Sequence, residues 1–234
     1  MLVKIISQIY ERSLTNRLDP FEKPKRLTNQ KERRRKMKKM SNRGFDLEIV
    51  SGITPIRIRE TSNPTVPERC VYGLAELEKD MRLASSGNDA ITARKIRTEQ
   101  EVPIVKEGDL VLSLQNPKAA IVSREHDGYL QTINTVVLKT SKEVDPKFLL
   151  FLINEEPKVQ QLLLNDNLGS IVSRTTVRQV EKLGQIHLPD MKTQRLIGDV
   201  YLKQIQMAAL TEKREQLQRT MMRGLLRRIE NESF

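Results

Sequence analysis

The C-terminal segment of this chain constrains its fold more than any other part of the sequence. From Met191 to Ile229 there is no proline, and Asp190 just before it can act as a helix N-cap. An uninterrupted α-helix over these residues would span roughly 58 Å at about 1.5 Å per residue, which is too long for the interior of one small domain. We therefore expect residues 190–234 to form a long helix that extends beyond the domain preceding it.

Apolar residues recur along this predicted helix with helical spacing. The pattern shifts after Leu217, so it is a 3.6-residue pattern with one slip and not a clean heptad repeat. It favours packing along another helix, and the alternative is packing back on its own domain. The predicted helix-interface residues are Val200, Met207, Leu210, Leu217, Met221 and Leu225.

The positive charge is concentrated at the N-terminal end. The chain has 41 Lys and Arg against 30 Asp and Glu, a net charge of +11, and residues 1–44 hold 14 of these bases but four of the acids. A basic block of this kind favours binding to a polyanion, because each Lys or Arg side chain that neutralises a phosphate releases counterions. The alternatives are a solvated tail and, since no apolar face accompanies the charge, less favourably an acidic membrane surface. The predicted contacts to a DNA backbone are Arg33, Arg34, Arg35, Lys36, Lys38 and Lys39.

The middle of the chain, residues 45–189, has the pattern of one mixed α/β (α+β) domain. Its predicted strands are Phe45–Val50, Ile56–Arg59, Val102–Val105, Asp109–Leu114, Ala119–Ser123, Leu130–Leu138 and Gly184–Leu188. In the second of these, Arg57 and Arg59 would share one strand face. Asp145-Pro146 is a strong helix start, Pro157 begins a second helix, and Ser173 can cap a third.

Residues for catalysis are not apparent. The chain has one cysteine, Cys70, and two histidines, and it lacks a phosphate-binding glycine loop with its lysine, so we expect neither a metal site nor an enzyme. The longest apolar run has six residues, 148–153, whereas a membrane helix needs about 20, and no secretory signal is visible. We therefore expect a cytoplasmic protein that does not enter a membrane.

Several segments resemble, in order and spacing, one known family. The segments are Ile49–Pro55, Glu107–Ser113, Thr132–Thr135, Asp145–Leu149, Gly169-Ser170, Leu183–Pro189 and Gln194–Ile197. Over about residues 45–230 the chain resembles the DNA-specificity (S) subunit of type I restriction–modification enzymes. The resemblance covers one target-recognition domain and the long helix that follows it.

The resemblance implies a non-catalytic subunit that recognises double-stranded DNA. In the family, the recognition domain reads one half-site, and the long helices dock adenine methyltransferase subunits. S-adenosylmethionine, ATP and Mg are therefore expected only on partner subunits, and cleavage belongs to a separate restriction subunit. A family member has two recognition domains and two helical regions, whereas this chain has one of each. It resembles a half-length form that would pair as a homodimer or with a second half-subunit.

The side chains expected to read bases were chosen for charge and expected exposure. They are Arg57, Arg59, Arg94, Lys95, Arg97, Gln115, Asn116, Lys118, Arg174 and Thr175. Arg and Lys would favour guanine, and Asn and Gln would favour adenine. The alternative for each is an ordinary solvated side chain. The alternative for the whole chain is an adaptor that binds nucleic acid nonspecifically through its basic N-terminus and binds a protein through its helix.

Overall fold

The computed structural model describes residues 44–82, 94–164 and 174–233. The strands in these ranges are β1 (Leu47–Ser51), β2 (Glu68–Tyr72), β3 (Lys95–Arg97), β4 (Leu110–Ser113), β5 (Ala119–Ile121), β6 (Leu130–Gln131) and β7 (Thr135–Thr140). The helices are α1 (Leu74–Arg82), α2 (Pro146–Glu155), α3 (Pro157–Leu164), α4 (Val177–Glu181) and α5 (Met191–Ser233). The predicted class, a mixed α and β domain followed by a long helix, is confirmed.

The strands form two small sheets. Four of them form an antiparallel sheet in the order β1-β7-β4-β5, and the other three form a sheet in the order β3-β2-β6, in which β2 and β6 are parallel. All four residues of β4 are buried, since this strand is central in its sheet and both of its faces are covered. The four-stranded sheet is therefore the centre of the domain.

Helix α2 covers one face of the four-stranded sheet. Asp145 caps it as predicted, because its carboxylate accepts the backbone N–H groups of Lys147 at 3.0 Å and Phe148 at 3.2 Å. Residues 148–153 are all buried, so the helix is apolar on every side. Helix α2 is thus enclosed between the sheet on one side and other helices on the other.

The first turns of α5 pack on α2. Gln194 is buried, and its side chain accepts the N–H of Asp145 at 3.0 Å and donates to the carbonyls of Glu143 and Pro189. The Lys147 ammonium donates to the Asp199 carboxylate at 2.7 Å, which lowers the pKa of that carboxyl. These contacts fix the direction in which the helix leaves the domain.

Another contact at this junction involves Tyr201. Its hydroxyl donates to the Glu155 carboxylate at 2.9 Å, and burial followed by this charge raises the pKa of the phenol. We define the helix junction as Gln194, Gly198 and Tyr201 of α5 with Asp145, Lys147, Phe148 and Glu155. Beyond it the helix continues to Ser233, and its residues from 211 to 231 are exposed.

Some predicted elements differ from the structure. Ile56–Arg59 is not a strand, because Pro55–Arg57 forms a 3-10 turn in which Ile56 is exposed and Ile58 is buried. Leu130–Leu138 is not one strand, because a turn at residues 133–134 divides it into β6 and β7, which belong to different sheets. In both places local hydrogen bonds close a turn that the apolar alternation does not reveal.

Two further predictions concern short segments. Val102–Val105 contributes only an isolated bridge between Ile104 and Leu130. Gly184–Leu188 is not a strand, since Lys182–Gln185 forms a 3-10 turn.

Helix α4 also begins later than predicted. It is capped by Thr176, which forms a reciprocal capping box with Gln179, and the predicted cap Ser173 lies outside the described residues.

We predict opposite effects of alanine at the two glycines of α5. A Cβ on Gly198 would lie 2.8 Å from the Lys147 Cβ and 2.8 Å from the Phe148 nitrogen, whereas a Cβ on Gly224 would meet nothing within 4 Å. Gly198→Ala should lower the free energy of unfolding by on the order of 1–3 kcal/mol because the helix must move away from α2. Gly224→Ala should raise it by up to about 1 kcal/mol through helix propensity. Thermal and denaturant unfolding would test this, and equal effects at both positions would contradict the tight contact.

Candidate nucleic-acid interface

Loops converge at one end of the four-stranded sheet. The register places the last residues of β1 and β4 beside the first residues of β7 and β5. We call this surface the loop end and define it by residues 52–57, 114–118, 132–134 and 174–175. It brings together four segments that are far apart in sequence.

Backbone hydrogen bonds join these loops to one another. The Leu114 N–H donates to the Asn134 carbonyl at 2.8 Å, and the Ile133 N–H donates to the Ile53 carbonyl at 3.1 Å. The Thr175 N–H donates to the Leu114 carbonyl at 2.8 Å, which attaches residues 174–175 to the same surface. The loop end is therefore held by its own main chain and not only by the strands beneath it.

Two of the predicted readers lie at the tip of the β4–β5 connection. Gln115 and Asn116 are exposed, and their backbone N–H groups both donate to the Ser113 hydroxyl at 3.3 Å. Their amide side chains point into solvent from a hydrogen-bonded turn, which is the arrangement needed for bidentate contacts with adenine. Arg57 and Arg174 are also exposed at this end.

Two other predicted readers have structural roles. Thr175 is buried, and its hydroxyl donates to the Leu163 carbonyl at 3.2 Å, so the expectation that this side chain is exposed is wrong. Lys118 is half-buried, and its ammonium donates to the Asn154 carbonyl at 2.7 Å. Both residues attach the loop end to helices behind the sheet.

The remaining predicted readers lie around the three-stranded sheet. Arg94 pairs with Glu60 at 2.8 Å, while Lys95 and Arg97 pair with Glu68 at 3.5 and 3.7 Å. Arg59 is exposed nearby, and its backbone N–H donates to the side-chain oxygen of Gln100. Exposed ion pairs of this kind stabilise by about 0–1 kcal/mol, so phosphates can displace the carboxylates. We call this second group the β3 edge.

Sequence reasoning missed three exposed residues of the loop end. Ile56 is 91% exposed and Ile133 is 49% exposed, and Asn134 next to it is exposed as well. The alternation of apolar residues placed all three in strands. The signal that could have identified the turn is Asn134 within the segment Thr132–Thr135, since Asn and Thr side chains favour turns.

A buried polar cluster lies away from the loop end. Asp80 accepts the Tyr72 hydroxyl at 2.9 Å and contacts the His126 Nδ1 at 2.8 Å, with both partners buried. The Ser123 hydroxyl lies 3.4 Å from the same ring nitrogen, so the histidine does not connect serine and aspartate through its two nitrogens as a nucleophilic triad requires. Burial and Asp80 together raise the pKa of the Tyr72 phenol. The cluster ties α1 to the 3-10 turn Arg124–His126.

The predicted helix interface is largely uncovered. Met207, Leu210, Leu217, Met221 and Leu225 are exposed, whereas Val200 is half-buried beside the domain. The start of α5 therefore packs on its own domain, whereas packing of the exposed residues along another helix stays a prediction.

In residues 44–82, 94–164 and 174–233, no group of three or more His, Cys, Asp or Glu is arranged to hold a metal ion. No helix in these ranges has the length and apolar character to cross a membrane. The predicted backbone contacts Arg33, Arg34, Arg35, Lys36, Lys38 and Lys39 lie outside them.

The chain has been compared with known proteins. No family model and no curated protein matches it. Among solved structures, the HsdS subunit from Thermoanaerobacter tengcongensis is 16% identical with a TM-score of 0.41, and the match covers 92% of this chain and 46% of that chain. The S subunit of the type I restriction–modification system from M. genitalium is 11% identical with a TM-score of 0.40, covering 96% and 54%.

A third match is a structure of the type I R-M system that describes its complex assembly and conformational transition. It is 16% identical with a TM-score of 0.45, covering 98% of this chain and 52% of that chain. The chain thus spans about half the length of the solved structures it matches. The three structures come from type I restriction–modification systems, the enzymes whose specificity subunit the sequence segments resemble.

We predict that structural and reading roles at the loop end can be separated. Thr175→Val leaves the Leu163 carbonyl without its buried donor and should lower the free energy of unfolding by about 1–2 kcal/mol. Gln115→Ala combined with Asn116→Ala removes only exposed amides and should change the unfolding free energy by less than about 0.5 kcal/mol. Denaturant unfolding followed by circular dichroism would measure both. A loss of stability in the double variant equal to that in Thr175→Val would contradict the assignment.

Proposed function

We propose that this chain is the sequence-specific DNA-recognition subunit of a type I restriction–modification complex. It would read one half-site of double-stranded DNA in the cytoplasm and direct an adenine methyltransferase subunit and a restriction subunit. The observation that carries the proposal is the loop end, where exposed amide and guanidinium groups project from hydrogen-bonded turns of a domain that continues into a long, uncovered helix. The ordered sequence segments support the same role.

In this proposal the loop end contacts bases, and the β3 edge contacts phosphates. Arg94, Lys95 and Arg97 are paired with carboxylates at a sheet edge and Arg59 is exposed nearby, and such bases suit phosphate contacts that fix orientation. Gln115 and Asn116 carry donors and acceptors that match the major-groove edge of adenine, and Arg57 and Arg174 match guanine. This chain would hold and orient DNA, while S-adenosylmethionine, ATP and Mg would act on partner subunits.

The long helix would bind partners on a face that the domain leaves open. At about 100° per residue, the exposed residues Leu196, Met207, Leu217 and Leu225 lie on average roughly 130° around the helix from residues 194, 197 and 201 at the domain contact. A partner can therefore lie along the helix without displacing the domain. Pairing with a second copy, or with a second half-subunit, would present two loop ends to a bipartite site.

A methylation map of the host genome tests this function. With the gene removed, adenine methylation should disappear at one bipartite motif and persist elsewhere, because the methyltransferase would lose its guide. Restoring the gene should restore that motif. Identical half-sites would indicate pairing of two copies, and different half-sites would indicate an unlike partner. An unchanged map would contradict the proposed role.

The adaptor that binds nucleic acid without sequence preference is supported by one observation. Residues 45–189 hold 18 bases against 20 acids, so the domain itself has a net charge of −2, and its exposed bases at the β3 edge are paired with acids. In that case the basic residues 1–44 would account for all binding.

We predict that neutralising the basic block separates these two functions. Arg33, Arg34, Arg35, Lys36, Lys38 and Lys39 would be changed together to Gln in the full chain. The specificity role predicts weaker binding with its sequence preference intact, and a salt dependence flattened by up to about 0.9 per lost phosphate contact. The adaptor predicts that binding is lost altogether. Titration of labelled duplexes at several salt concentrations measures both the slope and the preference.

A further inference from the structure

The loop end carries exposed apolar side chains that the proposed polar contacts do not use. Ile56 is 91% exposed, so its side chain presents apolar surface to water that contact with an apolar group of a ligand would bury. Ile133 is 49% exposed on a neighbouring turn. Single exposed apolar residues are common, but two exposed isoleucines on adjoining turns of a candidate recognition surface need an explanation.

Both isoleucines project from turns closed by hydrogen bonds. The turn that carries Ile56 is closed by the Arg57 N–H to the Thr54 carbonyl at 2.9 Å and by the Ile58 N–H to the Pro55 carbonyl at 3.1 Å. Pro55 restricts the backbone further, and the buried Ile58 anchors the turn in a cluster with Ile96 and Leu130. The hydrogen-bonded turn and the buried Ile58 therefore hold the Ile56 side chain outward.

The second turn is fixed in a similar way. The Thr135 N–H and hydroxyl both donate to the Thr132 carbonyl, at 3.1 and 3.0 Å, which leaves Ile133 and Asn134 at the tip. The Ile133 N–H in turn bonds the Ile53 carbonyl, so the two turns adjoin. We call Ile56, Ile133 and Asn134 the tip cluster.

The chemistry of the tip cluster matches one base pair. In the major groove an A·T pair presents the adenine N6 and N7 atoms beside the C5 methyl group of thymine. An asparagine amide can bond the adenine edge in a bidentate manner, and an apolar side chain can cover the methyl group. Asn134 and Ile133 are consecutive in one turn, so both contacts can fall on one pair.

We propose that the tip cluster determines specificity for an A·T pair in the major groove, with isoleucine on the thymine methyl group and Asn134 on adenine. This inference rests on the proposed function and deepens it by naming a base pair and the side chains that select it. It adds Ile56, Ile133 and Asn134 to the polar readers Gln115 and Asn116.

The experiment begins with selection of sites from a random duplex library by the full chain. On the enriched site, each thymine is replaced in turn by deoxyuridine, which removes the methyl group and leaves base pairing unchanged. Burying one methyl group corresponds to about a fourfold change in affinity, so uracil at the contacted position should weaken binding about fourfold. Ile56→Ala combined with Ile133→Ala should bind thymine and uracil sites equally.

Control variants exclude a general loss of structure or of apolar surface. Met222→Ala removes an exposed apolar side chain on α5, roughly 30 Å along the helix beyond Tyr201, and should retain the fourfold response. Asn134→Ala should relax the preference for adenine at the position opposite the sensitive thymine. Circular dichroism and thermal unfolding verify that each variant is folded.

The outcomes distinguish this inference from the function on which it rests. If the wild-type chain enriches no sequence, both are overturned. If it enriches a sequence but binds thymine and uracil sites equally, the proposed function stands and the tip cluster does not read a methyl group. If the wild-type chain distinguishes thymine from uracil and the double isoleucine variant still does, another residue makes the contact and the inference is overturned.

Discussion

The close contact between α5 and α2 is the constraint on which the arrangement of this protein depends. Gly198 lies against the Lys147 side chain and the Phe148 backbone, where any larger residue would collide. Gln194 uses its whole side-chain amide to bind three backbone groups around the same place. Any other position of the helix would leave this buried amide without hydrogen-bond partners, which costs free energy. The contact therefore defines one orientation of the helix.

This orientation links the long helix to the loop end through the core. Helix α2 is buried on every side, and Asn154 near its end exchanges two hydrogen bonds with the backbone of Ala119, the first residue of β5. Lys118, the residue before it, closes the loop end onto the same helix. The long helix and the loop end therefore share one support, although their exposed residues lie far apart in sequence.

The extent to which the sequence predicts this structure depends on the range of the interactions involved. The α5 helix, its Asp190 cap and the Asp145 cap of α2 were predictable, because caps and helical periodicity are local. The turns at Pro55–Arg57 and at Ile133–Asn134 were not, because apolar alternation continues through both and a few hydrogen bonds decide their geometry. The exposed tip at Ile56 was missed for that reason, and so was the burial of Thr175, whose partner Leu163 is contributed by another helix. Hydrogen bonds between residues far apart in sequence are not visible in local patterns. For this reason the candidate site was harder to predict from the sequence than the fold.

Because α5 is long, a small change in its angle at the helix junction displaces its far end by a large distance. From Gly198 to Ser233 the helix extends by roughly 52 Å at about 1.5 Å per residue. A tilt of about 4° at the junction would displace its far end by about 3.6 Å, close to the 3.4 Å that separates successive base pairs along one strand of DNA. Under the proposed pairing of two such helices, the angle set at Gly198 would determine how many base pairs separate the two half-sites.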